Sequence, residues 1–352
     1  MEKLLLKWVT GCSGVLTVLV CVCLYFFPEV PEAMVAVPEI PFSPEANIQE
    51  APIEIVEDEE VIVDVEEKRQ LQIELPEGID GRHITINNDY LTQTVTVRFE
   101  NGVEEYAQKY RVYGSSDKIA SISYYKEKEE GVLSIQLDQV CEIAYAYDEG
   151  FLGMDFIDPH EIYDKVVVID AGHGGRQPGA VKWDIYEKNI NLAIVKEIKA
   201  LFEQANDKSI RVYYTRLEDK NPSFSKRVEL ANRSNADLFV SIHNNAASDG
   251  RFTSRNGTLV LYNIEDKSEY SSKRFSEICL ENVNATTGSN RRGIAEGNYV
   301  YIIRNSKVPV ALVEVGYMTN RRELELLQTE EYQKKAALGV YNAILQAFEE
   351  GF

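Results

Sequence analysis

Four side chains in the C-terminal half have the types and placement that metal-assisted hydrolysis needs. Residues 166–175 read Val-Val-Val-Ile-Asp-Ala-Gly-His-Gly-Gly. A β-branched run ends in Asp170, and a glycine-rich turn then presents His173. This is the pattern of a buried strand that delivers a side chain from its carboxyl end, where open α/β sheets place their chemistry. Taken singly, His173 also has a plainer, less favoured reading as a turn residue. His243 follows a second such run, Phe239-Val240-Ser241-Ile242, so it reaches the same sheet edge. Glu314 sits inside Val310-Ala311-Leu312-Val313-Glu314-Val315, where a carboxylate is costly unless paired or functional. Glu187 stands just ahead of a helical pattern, where its ordinary use is to complement the positive end of the helix dipole. The chain has only 4 histidines, and two of them fall at strand ends. Two imidazoles and one carboxylate make a three-ligand zinc set that leaves a position for water. A second carboxylate then serves as the base. Spacing alone does not say which carboxylate takes which part.

The elements that must position these groups alternate. Strand patterns cover residues 166–170, 210–214, 237–242, 258–262 and 310–315. Helical patterns cover residues 189–205, 223–232, 268–284 and 330–348. In the first helix the apolar stripe is Ile194, Val195, Ile198, Leu201 and Phe202. In the last it is Tyr332, Ala336, Leu338, Tyr341, Ile344 and Leu345. Alternation of this kind predicts an α/β fold for residues 161–352: three layers, a mainly parallel central sheet, and helices on both faces.

The rest of the chain reads differently. Residues 8–27 carry no charge and are long enough to span a bilayer as a helix. Lys3 and Lys7 precede them, so residues 1–7 are expected in the cytoplasm and everything after Phe27 outside. A cleaved signal peptide is the rival reading; the run is long for one and lacks a small-x-small site. Residues 28–65 form an acidic, proline-rich linker with 6 of the 11 prolines. Residues 28–67 hold 13 acidic side chains and no Lys or Arg, about two-thirds of the net charge of -20. That charge argues against a nucleic-acid partner. Residues 66–160 show short alternating runs at 83–86, 92–99, 119–124, 132–137 and 141–147, the mark of a small all-β module for binding or spacing. Glu100-Asn101-Gly102 has the composition of a hairpin turn. His83 is isolated and expected at the surface. Cys141 and Cys279, the two cysteines beyond the apolar run, read as buried small hydrophobes, with one bridge conceivable.

A set of blocks in fixed order resembles a known family. These are Asp170-Ala171-Gly172-His173-Gly174-Gly175, Glu187-Lys188, Thr215-Arg216, Arg227 with Ala231-Asn232, Ala236 through Asn245, and Glu314-Val315-Gly316-Tyr317-Met318-Thr319-Asn320. Together, over residues 165–348, they are similar to the type 3 family of zinc-dependent N-acetylmuramoyl-L-alanine amidases of bacterial cell walls. The resemblance implies one zinc ion held by His173, Glu187 and His243, with Glu314 as the catalytic carboxylate. It implies peptidoglycan as partner and hydrolysis of the amide between the lactyl group of N-acetylmuramic acid and L-Ala of the stem peptide. Asp170 would orient a ligand from behind, Arg216 and Arg227 would pair with carboxylates, and Asn320 would cap or brace a turn. Asn245 either faces substrate or makes a local turn bond. Asn244 and Tyr317-Met318 depart mildly from the family pattern. The stretch from Ala246 to Pro309 looks too short to hold the blocking helix of some members, so an open site is expected. A zinc peptidase cutting within the stem peptide and a non-catalytic wall-binding protein are the alternatives. Oligomeric state is not readable.

Overall fold

A computed structural model describes residues 51–52, 69–100, 102–148 and 150–352. The apolar run at 8–27 lies outside these residues, as does most of the acidic linker. Among the described residues no helix is long and apolar enough to cross a membrane.

The first folded part has two antiparallel sheets. Its strands are β1 (Ala51–Pro52), β2 (Leu71–Glu74), β3 (Ile84–Asp89), β4 (Thr94–Phe99), β5 (Val112–Gly114), β6 (Ile119–Glu127), β7 (Glu130–Leu137), β8 (Glu142–Asp148) and β9 (Phe151–Ile157). One sheet runs β1-β6-β7-β4-β3 and the other β5-β2-β9-β8. Alternate residues of β4 point inward, so Val95, Val97 and Phe99 meet Leu71, Ile73, Ile135, Leu152 and Met154 in a shared core. Two expectations change here. The segment after β4 is not a hairpin turn: β4 pairs with β3 and β7, while the next strand, β5, belongs to the other sheet. The linker is not wholly unpaired, because Ala51 and Pro52 pair with Tyr124 and Ser123 of β6.

The second part carries the strands β10 (Lys165–Ala171), β11 (Val181–Lys182), β12 (Ile185–Tyr186), β13 (Ile210–Tyr214), β14 (Leu238–Asn245), β15 (Thr258–Tyr262), β16 (Arg291–Glu296) and β17 (Val310–Tyr317). Its main helices are α1 (Glu187–Ala205), α2 (Phe224–Arg233), α3 (Ser272–Thr287), α4 (Tyr301–Asn305), α5 (Arg321–Leu327) and α6 (Glu330–Glu349). The six-stranded sheet has the order β13-β10-β14-β17-β15-β16. All its pairings are parallel except β15 with β17. Both faces of β10 are buried, which is why it reads as continuous Val and Ile. Val167 and Ile169 face a core built with α1, α3 and α6; Val166 and Val168 face one built with α2 and α4. Each buried aliphatic side chain there contributes about 1.5–3 kcal/mol. On α6 the buried stripe shifts from the expected one: Leu338 is 40% exposed, while Ala337, Gly339 and Val340 are buried. Cys141 and Cys279 are buried and free, with no bridge.

The two parts share contacts. Glu142 of β8 accepts hydrogen bonds from Tyr90 Oη (2.8 Å) and Tyr213 Oη (2.7 Å) and pairs with Arg211 at 2.7 Å. Val140 and Leu91 pack in the same core as Tyr213 and Phe239.

Candidate metal centre

Glu187 is the hub of the site. It is the first residue of α1, and its Oε1 lies 3.1 Å from His173 Nε2 and 3.0 Å from His243 Nδ1. One ligand atom from each of the three lies within 4.8 Å of the others. The two imidazoles meet edge to face, with centroids 4.8 Å apart. Backbone amides fix the carboxylate: Ala180 N donates to Oε2 (2.8 Å) and Asn244 N to Oε1 (3.0 Å). Burial alone would raise the Glu187 carboxyl, but the contacts from His173 and His243 outweigh it and hold it well below the usual range.

His173 comes from the turn after β10, whereas His243 lies inside β14, which continues to Asn245 instead of ending at Ile242 as its sequence pattern indicates. His173 has a φ of 61°, a left-handed conformation that few non-glycine residues adopt. Arg227 holds it there. This fully buried guanidinium donates to Asp170 Oδ1, to Ala171 O (2.8 Å) and to His173 O (2.8 Å). Asp170 thus acts on the histidine turn through Arg227 rather than by touching a ligand. It also accepts from Thr215 (2.5 Å) and Ser241 (2.6 Å). Burial opposes its charge, but Arg227 and these hydroxyls keep its carboxyl below the usual range. Arg216 corrects an expectation: its partners are carbonyls, not carboxylates. Nε donates to Ala171 O (2.7 Å), and Nη2 to Gly172 O (2.8 Å) and Lys188 O (2.9 Å). Burial, then the neighbouring Arg227, pull its guanidinium down to about 10. Asn320 caps α5 as expected, accepting from Glu323 N (3.2 Å). Asn245 is half-buried at the end of β14, its carbonyl taken by Met318 N (2.7 Å).

Glu314 lies beside the triad. In the parallel ladder of β14 and β17 it is the register partner of His243. Its Oε2 is buried and has no hydrogen-bond partner among the described residues. Burial, then the charge of Glu187, push its carboxyl well above the ordinary value.

Three supports escaped sequence reading. Asn191, one helical turn after Glu187, donates to Gly172 O (3.1 Å) and Glu187 Oε1 (3.4 Å) and accepts from Asn244 Nδ2 (2.8 Å). The i, i+4 spacing of Glu187 and Asn191 was the available signal. Glu323 is buried and accepts from Gly257 N (2.7 Å) and Tyr317 N (2.8 Å), bracing the strand that carries Glu314. Gly172 allows the histidines to meet: a Cβ there would stand 2.2 Å from His243 Nε2. Gly172→Ala is therefore expected to lower metal affinity about 10–100-fold, the cost of displacing a ligand's support, with the thermal melt little changed. Zinc titration beside circular dichroism checks this; unchanged affinity would show that the ring has room to move.

The donor set fits one zinc ion: two imidazole nitrogens and a carboxylate oxygen, with an unpartnered carboxylate oxygen close by. A family described as N-acetylmuramoyl-L-alanine amidase matches residues 167–346. The chain belongs to this amidase family. The Bacillus subtilis (strain 168) protein YqiI is 33% identical over 54% of this chain and 87% of its own length. The germination-specific N-acetylmuramoyl-L-alanine amidase of the same strain is 29% identical, covering 53% of this chain and 81% of that one. The catalytic domain of CwlV, an N-acetylmuramoyl-L-alanine amidase from Bacillus (Paenibacillus) polymyxa var. colistinus, is 34% identical, with a TM-score of 0.48, over 53% of this chain and 98% of that domain. The amidase match begins at β10, after both sheets of the first part.

Proposed function

We propose that residues 161–352 are a zinc-dependent catalytic domain that cuts the amide between the N-acetylmuramic acid lactyl group and L-Ala of the peptidoglycan stem peptide. Family membership makes the chain a cell-wall amidase. The convergence of His173 and His243 on Glu187, with Glu314 beside them, supports the finer reading. His173, Glu187 and His243 would hold the ion. Zinc, when bound, supplies Lewis acidity that acidifies water and polarises an amide carbonyl. Glu314 does the proton work. Its buried Oε2 has no other hydrogen-bond partner and so is free to accept a proton from water and return it to the departing amine. Asp170, Arg227 and Arg216 hold the histidine turn rigid while this happens.

The site is open in this reading. Between β14 and β17 the chain holds two helices rather than one, α3 and α4. Both are seated in the core, through Phe275 and Ile278 and through Ile302 and Ile303. Activity without an activator protein follows. The proposal extends to residues 8–27 as an uncleaved anchor that leaves the enzyme outside the membrane, with the acidic stretch as its stalk; membrane fractionation and protease protection of the full chain check that part.

The main test is mass spectrometry of purified peptidoglycan after incubation with the enzyme. Free stem peptides beginning at L-Ala and peptide-free glycan are expected. Peptides cut internally would instead favour the peptidase reading. Treatment with a strong chelator should abolish release, and stoichiometric zinc should restore it.

A further inference from the structure

We infer that the exposed Trp183, with Phe252, Arg321 and Lys182, is a docking patch for the glycan-peptide substrate beside the metal centre; this rests on the proposed function above. Trp183 and Asp184 join β11 to β12, and β12 runs directly into Glu187. Trp183 lies four positions before that hub, a reach of at most about 13 Å. The hairpin base is tied to the site, since Glu187 N donates to Ala180 O (3.0 Å) and Ala180 N to Glu187 Oε2. The loop bearing Phe252 is tied to the other wall: Thr253 N donates to Thr319 O (2.8 Å), just beyond β17.

The patch has a definite chemistry. Trp183 is 56% exposed, and its ring lies 4.8 Å from that of Phe252. The Arg321 guanidinium carbon stands 5.0 Å from the Trp183 ring and 4.4 Å from the Phe252 ring. Lys182 Nζ lies 4.9 Å from Phe252 and donates to Gly250 O. Among the described residues neither Arg321 nor Lys182 has a carboxylate within ion-pair distance, although the chain is strongly acidic. Aromatic faces backed by unpaired cations suit a ligand with apolar ring faces and carboxylates. A sugar strand bearing acidic peptides has both. The backbone adds to the case. Trp183 and Asp184 both have positive φ, 49° and 62°, which two-residue hairpins ordinarily give to Asn and Gly. Keeping Trp there strains the backbone, because an L side chain with a Cβ disfavours the left-handed region, whereas Asn tolerates it.

The same feature supplies the test. Trp183→Asn removes the ring while suiting the turn. In the full chain in detergent, made inactive by Glu314→Gln, binding to insoluble peptidoglycan is measured by co-sedimentation. Trp183→Asn and Arg321→Ala should each weaken it about five- to tenfold, the size of one lost aromatic or Arg anchor. Trp183→Tyr should recover most of it. Phe224→Ala, at an exposed aromatic pair with Tyr301 far along the chain, should leave it within about twofold of the parent. Zinc content should be equal in all. Unchanged binding by Trp183→Asn overturns the inference, and so does weakened binding accompanied by zinc loss, which would mean that the hairpin acts only on Glu187. If the unmodified enzyme releases no stem peptide, the proposed function falls while this comparison still decides the patch.

Discussion

Glu314→Gln is expected to lower stem-peptide release about 10²–10⁴-fold while leaving zinc bound and the fold intact. The substitution keeps the shape of the side chain and removes its capacity to carry a proton. Its effect on stability has the opposite sign to its effect on rate. In the parent a carboxyl whose Oε2 has no partner is held in a buried strand, near the negative Glu187. A neutral amide removes the cost of burying a carboxylate there, so the variant should melt no lower than the parent, the usual trade between activity and stability at a functional site. Release rates, zinc content and a thermal melt on one preparation read all three quantities. A variant that keeps its rate would remove Glu314 from the mechanism.

Glu187→Gln should fail in another way. Losing the carboxylate charge takes away one of three ligands, and metal affinity should drop by more than the roughly 10–100-fold that an outer support costs. The amide also has an NH₂ where the present oxygens accept from Ala180 N, Asn244 N and Asn191 Nδ2. One of those donors must lose its partner, at about 1–3 kcal/mol. The expected result is a less stable, zinc-free and inactive protein, whereas Glu314→Gln gives a stable, zinc-loaded and inactive one. Elemental analysis after dialysis separates the two. Retention of zinc by Glu187→Gln would sink the ligand assignment.

Much of this was legible in the sequence because it rests on local pattern. The β-branched runs ending in Asp170 and Ile242 marked two central strands, and the stripe of Ile194, Val195 and Ile198 marked the helix behind them. The strand ends then brought His173 and His243 to one edge. What stayed hidden depends on partners far along the chain. Nothing local distinguishes an arginine that pairs with a carboxylate, as Arg227 does, from one that gathers carbonyls, as Arg216 does. β16 and the β11–β12 hairpin are too short or too polar to show periodicity. The antiparallel sense of β15 on β17 comes from how the connecting segment crosses the sheet, and composition does not encode that. Spacing alone puts Leu338 inside; the helix turns Ala337, Gly339 and Val340 inward instead, and Gly339 lets α6 lie close to Val283 of α3.

The Glu142 contact bears on how the protein can be cut apart for experiments. A truncation drawn at residue 167, where family similarity starts, would lose the first two residues of β10 and also strip Arg211 and Tyr213 of their acidic acceptor. The newly uncovered surface would present a guanidinium stacked on the Tyr213 ring, together with apolar side chains that Val140 and Leu91 now cover. Such a fragment is a poor candidate for crystallisation or kinetics. Grafting another amidase behind these sheets would demand a matching cation on the incoming β13, so the two halves are fitted to each other and are not interchangeable cassettes.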